Sequence, residues 1–188
     1  MKSPYIGSLS PEYALLGLLA RGPAHGYELH QKLATDLGQV WHLSQSQIYN
    51  ILNRLEGKGF IHGTLQEQDK LPAKRSFNLT EAGQQRFMDW LNLPSRSSVR
   101  AIRVEFITRL YFALSISQEY AHQLIDAQMT ETQAGLGRLK TMQAQVPPEQ
   151  TFNWLGLDLR IRQLTSILEW LTSCHSAIST SKERHASG

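Results

Sequence analysis

The chain has 188 residues, 41% of them hydrophobic and 19% charged, enough for one domain with a sizeable core or for a small domain plus an interaction module. The formal net charge is only +3, and residues 1–91 hold nine Lys and Arg against eight Asp and Glu, which excludes any argument for nucleic acid from bulk charge. A single cysteine, Cys174, excludes an internal disulfide framework and fits a reducing cytoplasm, while the apolar run Ala14 to Ala20 is too short for a signal segment and no run approaches transmembrane length, so no membrane partner is expected.

In chain order, Ser10-Pro-Glu-Tyr opens a first helix with Pro11 near its first turn, and Ala14, Leu15, Leu18 and Leu19 form its buried stripe. Arg21-Gly-Pro breaks the chain. A second helix from about Ala24 to Asp36 carries Tyr27, Leu29 and Leu33, with Leu37 just beyond and Gly38 at its end. The third helix starts at Ser44, which caps it, with Gln47 completing a capping box. At about 100° per residue, Ile48, Ile51, Leu52 and Leu55 form one stripe. Ser46, Asn50 and Asn53 lie opposite, flanked by Gln47, Tyr49 and Arg54.

That outer face carries hydrogen-bonding groups and no carboxylate. An ordinary solvated face mixes Glu and Lys, whereas amides, hydroxyls and guanidinium groups pair with base edges and phosphates. Gly57 and Gly59 stop the helix. Phe60-Ile-His-Gly-Thr-Leu-Gln then reads as a strand, Glu67 to Ala73 as a loop, and Lys74-Arg-Ser-Phe-Asn-Leu as the returning strand, with Lys70, Lys74 and Arg75 as a local basic cluster. The fold class is mainly α with a small two-stranded β-wing: a winged helix-turn-helix whose third helix enters the major groove. Tyr27 sits at the start of the second helix, where backbone N–H groups attract phosphate, and Gly26 lets a backbone come close.

These motifs resemble the PadR-type transcriptional regulators. The matching stretches are Leu16-Gly-Leu-Leu, Gly22-Pro-Ala-His-Gly-Tyr-Glu-Leu, Ser46-Gln-Ile-Tyr-Asn-Ile-Leu-Asn-Arg-Leu-Glu-Gly-Lys-Gly-Phe-Ile, and in the wing Pro72-Ala-Lys-Arg-Ser-Phe-Asn-Leu-Thr-Glu-Ala-Gly. The match is dense from Tyr13 to Leu91 and continues more weakly through a helical tail similar to the virulence-activator subgroup. Family wings often carry an aromatic where Ser76 stands. The resemblance implies a dimeric regulator, mostly a repressor, that reads palindromic operator DNA and responds to a ligand or partner protein. The expected double-stranded DNA contacts are Tyr27, Ser46, Gln47, Tyr49, Asn50, Asn53, Arg54, Lys70, Lys74 and Arg75.

Thr80 caps a helix running to about Leu91, so residues 1–92 form the expected DNA-binding domain and 93–98, containing Leu93-Pro-Ser-Arg-Ser-Ser, a linker. A helical dimerisation domain over 99–180 follows, then a disordered tail over 181–188. In its first helix Val99, Ile102, Phe106, Leu110 and Ala113 share a face; Ser117 caps a second with Ile125, Met129, Thr132, Leu136, Leu139, Gln143 and Val146, which Pro147-Pro148 ends. The last helix carries Trp154, Leu157, Ile161, Leu164, Leu168, Leu171, His175 and Ile178 at three-four spacing, and Trp154 to Leu171 are the expected homodimer seam, though packing inside the tail would need the same stripe.

Catalytic chemistry has no support. The seven histidines are scattered without metal spacing, Cys174 has no second cysteine, and Gly57-Lys-Gly follows a helix where a phosphate loop opens one, so no catalytic residue, metal or cofactor is expected. The alternative from another class is a winged-helix protein-interaction module without DNA binding; it gives no reason for an acid-free outer face or a basic wing. Trp90, Phe106, Tyr111, Phe112, Tyr120 and Trp154 suit either a core or a pocket for a small aromatic effector, and no ligand residue follows from them.

Overall fold

A computed structural model describes residues 10–68 and 71–185, and the chain divides into two compact units, 1–93 and 94–188. The first unit runs α1 (Glu12–Leu19), β1 (Ala24–His25), α2 (Gly26–Leu37), α3 (Gln45–Gly57), β2 (Ile61–Gln68), β3 (Leu71–Leu79) and α4 (Glu81–Leu91). The short, apolar α1 touches α2, α3, α4 and β3, so all eight of its residues are buried, and not only the stripe that its periodicity predicts. Tyr13 stacks on Trp90 of α4 with ring centroids 4.8 Å apart.

The sheet corrects the sequence reading. It has three strands in the order β1-β3-β2, all antiparallel, because Ala24 and His25 pair with Phe77 and Ser76 before the second helix begins at Gly26. A two-residue strand leaves no periodicity to read. β3 also starts at Leu71, within the stretch expected as a loop. Ser76 lies in the middle of the sheet and is buried, opposite His25 on one side and Thr64 on the other.

The end of α3 is set by backbone hydrogen bonding. Gly59 adopts φ 73°, its N–H donates to the Glu56 carbonyl (2.8 Å), and the Phe60 N–H donates to that of Leu55 (3.0 Å), so Gly59 and not Gly57 is the stop. Thr80 then caps α4 through Gly83 N–H (3.1 Å) and donates its hydroxyl to the Gly59 carbonyl (2.7 Å).

In the second unit, α5 (Val99–Ala101), a π-helical turn (Ile102–Phe106) and α6 (Ile107–Ile116) run in succession, followed by α7 (Gln118–Ala144) and α8 (Thr151–His185). Ile102, Phe106, Ala113, Ala121, Leu124, Ile125, Leu171 and Ile178 form its core. The expected linker is docked: Ser95 is buried, its N–H donates to Gln128 Oε1 (2.7 Å), and its hydroxyl accepts from Arg109 (2.6 Å). Burial holds the Glu105 carboxyl above the usual carboxylate range, against the pull of Arg109 at 3.7 Å. With no Gly or Pro to stop it, α8 stays helical to His185, five residues into the expected tail; 186–188 lie outside the described residues. No helix among the described residues is long and apolar enough to cross a membrane.

Two glycines separate packing from propensity. A Cβ on Gly83 would strike the Phe60 carbonyl where α4 docks, whereas one on Gly137 of α7 meets nothing within 4 Å. Urea denaturation should show Gly83→Ala destabilised by about 1–3 kcal/mol and Gly137→Ala stabilised by about 0.5–1 kcal/mol.

Candidate nucleic-acid interface

The capping box forms as the sequence predicts: Ser44 Oγ accepts from Gln47 N–H (3.3 Å), and Gln47 Oε1 accepts from Ser44 N–H (2.8 Å). With Ile48, Ile51, Leu52 and Leu55 buried, the rotation of α3 about its axis is fixed, and Ser46, Tyr49, Asn50 and Asn53 face solvent. The side chains of Ser46, Asn50 and Asn53 make no hydrogen bond among the described residues, so their amides and hydroxyl remain unspent. Gln47 already uses its side-chain carbonyl in the cap.

Arg54 is also committed. Its Nε donates to Glu12 Oε1 (2.7 Å), and the same carboxylate lies 3.6 Å from Lys58 and 3.7 Å from Arg86. Glu12 is only 8% exposed at its side chain while Arg54 is 51% exposed, so the acid is the buried hub and the bases are its rim. The hub joins the first turn of α1 to the last turn of α3 and to α4, a link across distant sequence that no local pattern announces.

Tyr49 packs its ring over Gly26 at the start of α2: a Cβ there would lie 2.6 Å from Tyr49 Cε1. The small residue admits the aromatic, and this fixes how α2 and α3 cross. Tyr27, the next residue, is exposed, with its hydroxyl donating to Glu28 Oε1 (3.2 Å); that bond and the adjacent charge push the phenol pKa up. Glu28 in turn accepts from His25 N–H (2.8 Å), which holds the carboxyl below its ordinary range. His25 Nδ1 donates to the Arg75 carbonyl (3.0 Å), so the N-terminus of α2 is tied to the wing.

In the wing, Arg75 Nη2 donates to both oxygens of Glu56 at 2.7 Å, and Glu56 Oε1 also accepts from Gly63 N–H (2.8 Å). The arginine therefore lies along the hairpin with its guanidinium carbon 5.2 Å from the centre of the Phe77 ring. Sequence reading takes Arg75 as a free basic group and overlooks Glu56; the register that brings them together was the missing signal. Lys74 pairs through its backbone with Gln66, while its side chain and all of Lys70 lie outside the described residues.

The α8 stripe divides. Leu164 and Leu171 are buried within the second unit, which corrects their assignment to a seam open to a partner; α7 packs along α8 and takes that face. Leu157, Ile161 and Leu168 are half-buried, and Trp154 is exposed together with Phe152 (88%), Leu155 (48%) and Leu159 (57%).

The transcriptional regulator PadR-like family model matches residues 15–89, and the virulence activator alpha C-term model matches 102–179. The negative transcriptional regulator PadR of Bacillus subtilis (strain 168) is 33% identical over 129 residues, covering 69% of this chain and 70% of that protein. A probable transcriptional regulator of Mycobacterium tuberculosis is 26% identical over 82 residues, 44% of this chain and 43% of its own. The crystal structure of Bacillus subtilis PadR in complex with operator DNA is similar over 89% of this chain and 98% of that one, at 30% identity and a TM-score of 0.43.

The Glu12 hub makes a stability difference measurable. Glu12→Gln leaves its bases without a counter-charge and should cost about 1–3 kcal/mol in denaturant unfolding followed by tryptophan fluorescence. Removal of the Glu56 charge, paired with the more exposed Arg75 at the end of α3, should cost less than about 1 kcal/mol.

Proposed function

The chain belongs to the PadR-like family of transcriptional regulators, a family of regulators and not of enzymes, and from that footing we propose that it is a repressor which binds a palindromic operator as a dimer. The observation that carries this reading is the unspent amides of Asn50 and Asn53 on a face whose rotation the buried apolar stripe fixes. In a major groove, such amides pair with base edges. Ser46 and the hydroxyl of Tyr49 serve nearby phosphates, Tyr27 serves the phosphate at the α2 N-terminus, and Lys70 and Lys74 hold the flanking backbone. Gln47 and Arg54 hold the helix itself in place. The relative from Bacillus subtilis, named a negative regulator, supports repression.

One recognition helix reads only a few base pairs, and two placed one turn apart, roughly 34–36 Å, read a palindrome. The exposed apolar end of α8, with Phe152, Trp154, Leu155 and Leu159, supplies the contact between copies. A ligand or partner protein then acts by favouring one spacing of the two recognition helices over another. Supporting a ligand in the helical unit is an apolar groove of about 310 Å³ lined by Ile102, Arg103, Ile107, Ser166, Ile167 and Trp170, with the chemistry to take a small aromatic effector.

A mobility-shift assay with the DNA upstream of the protein's own coding region, against random duplex, tests the reading. Asn50→Ala or Asn53→Ala should weaken specific binding by about 1–3 kcal/mol with little loss on random DNA. Lys74→Ala should weaken both alike and flatten the slope of log affinity against log salt by roughly one unit. An Asn50→Ala protein that holds its operator as tightly as the parent would reverse the orientation given to α3.

The seam needs a test on its exposed residues, because a charge at Leu164 would damage the fold of the unit itself. Leu155→Asp should leave circular dichroism unchanged, halve the mass seen by light scattering and lower operator affinity by orders of magnitude. A variant that stays dimeric would move the interface elsewhere.

A further inference from the structure

Glu56 lies at the C-terminal end of the recognition helix, an unusual place for a carboxylate in a surface meant to meet phosphate. Negative charge there also opposes the helix dipole. Yet the site is built around it. Both of its oxygens accept from Arg75 Nη2 at 2.7 Å, and Oε1 also accepts the Gly63 N–H at 2.8 Å. Gly63 leaves room for the arginine, since a Cβ there would strike Arg75 Nε and the side chain would have to take another path. The lane across β2 is thus open for one side chain, which runs from β3 to the end of α3 and remains 44% exposed.

From this geometry we infer that Glu56 is a positioning and specificity residue, an internal stand-in for phosphate that occupies Arg75 and keeps the wing from gripping DNA of any sequence. A free arginine at this place would add one phosphate contact on random duplex; the operator, which draws the guanidinium to a phosphate in any case, gains less, so the ratio of operator to random binding falls. The ion pair removes that contact. Exposed pairs of this kind are weak and exchangeable, so the guanidinium moves to a backbone phosphate only where the rest of the interface has already brought one within reach. Asn53 and Asn50 do that on the operator, about one and two turns back along the same helix, so base reading comes before the grip. The biological meaning of the device rests on the DNA-binding reading above; the masking of Arg75 does not.

Salt-dependent binding to random duplex reads the masking directly. Glu56→Gln keeps the shape and the acceptor for Gly63, frees Arg75, and should raise random-DNA affinity about five- to ten-fold at 0.1 M salt, with a salt slope steeper by roughly one unit. Arg75→Ala alone should change random binding less than about twofold, because the arginine is already occupied. In the Arg75→Ala background, Glu56→Gln should gain no more than about twofold, which separates release of Arg75 from simple loss of a repelling charge. Equal gains in both backgrounds, or an unchanged slope in Glu56→Gln, overturn the inference. Should Glu56→Gln fail to fold by circular dichroism, the Arg75→Ala measurement decides alone: a tenfold loss on random DNA means that the arginine was never masked.

Elution from heparin separates this inference from the function it serves. Glu56→Gln should elute at higher salt than the parent, and Arg75→Ala at the same salt. That pattern without any binding to duplex DNA would sink the regulator reading and keep the ion-pair lock; duplex binding without that pattern would do the reverse.

Discussion

The first unit depends on a carboxylate placed where carboxylates are costly. Glu12 sits in the opening turn of a helix that is buried all round, with the bases of α3 and α4 gathered about its carboxylate. Its effect is geometric. The stripe of α3 fixes rotation about the helix axis but resists sliding along it poorly, since leucine and isoleucine contacts are non-directional. The hydrogen bond from Arg54 to Glu12 of α1 removes that freedom. Arg86 extends the restraint to α4 while lying over the rings of Tyr13 and Phe60, so one charge centre orients three helices and the turn before β2.

What the sequence made legible was local. The α3 cap, its apolar stripe, the Thr80 cap and the Ser117 cap all depend on residues within a few positions of one another, and each is found where pattern places it. The features that escaped are those whose partner lies far along the chain. β1 is defined only by Phe77 and Ser76, the role of Gln128 only by Ser95, and the state of Arg75 only by Glu56. The recognition face was therefore readable as a list of residue types, but not as a list of free groups. Gln47, Arg54 and Arg75 have the chemistry of DNA contacts, and the fold already uses them.

The helical unit shows the same limit in its apolar residues. A three-four repeat along α8 states that a partner is needed without saying which chain provides it. α7 meets that need at Leu164, Leu171 and Ile178, spaced by seven, and leaves the N-terminal end of α8 uncovered. Gln128, which the apolar stripe of α7 leaves out, is fully buried beside Thr132, which the stripe includes, because Gln128 bonds to Ser95 and the two bond to each other. Polar burial at that point gives the segment after residue 93 a defined path, which apolar packing alone leaves loose.

The π-helical turn at Ile102–Phe106 has a meaning for comparing sequences. Such a turn is an α-helix holding one residue more than its length requires, and the extra residue widens a single turn while both flanks keep their own phase. Kin that lack the widening should be one residue shorter here. Aligned by structure, they would open a one-position gap between Ile102 and Phe106 and run in step on either side of it, whereas an ungapped alignment would set every core position of α6 against a neighbour from the wrong face.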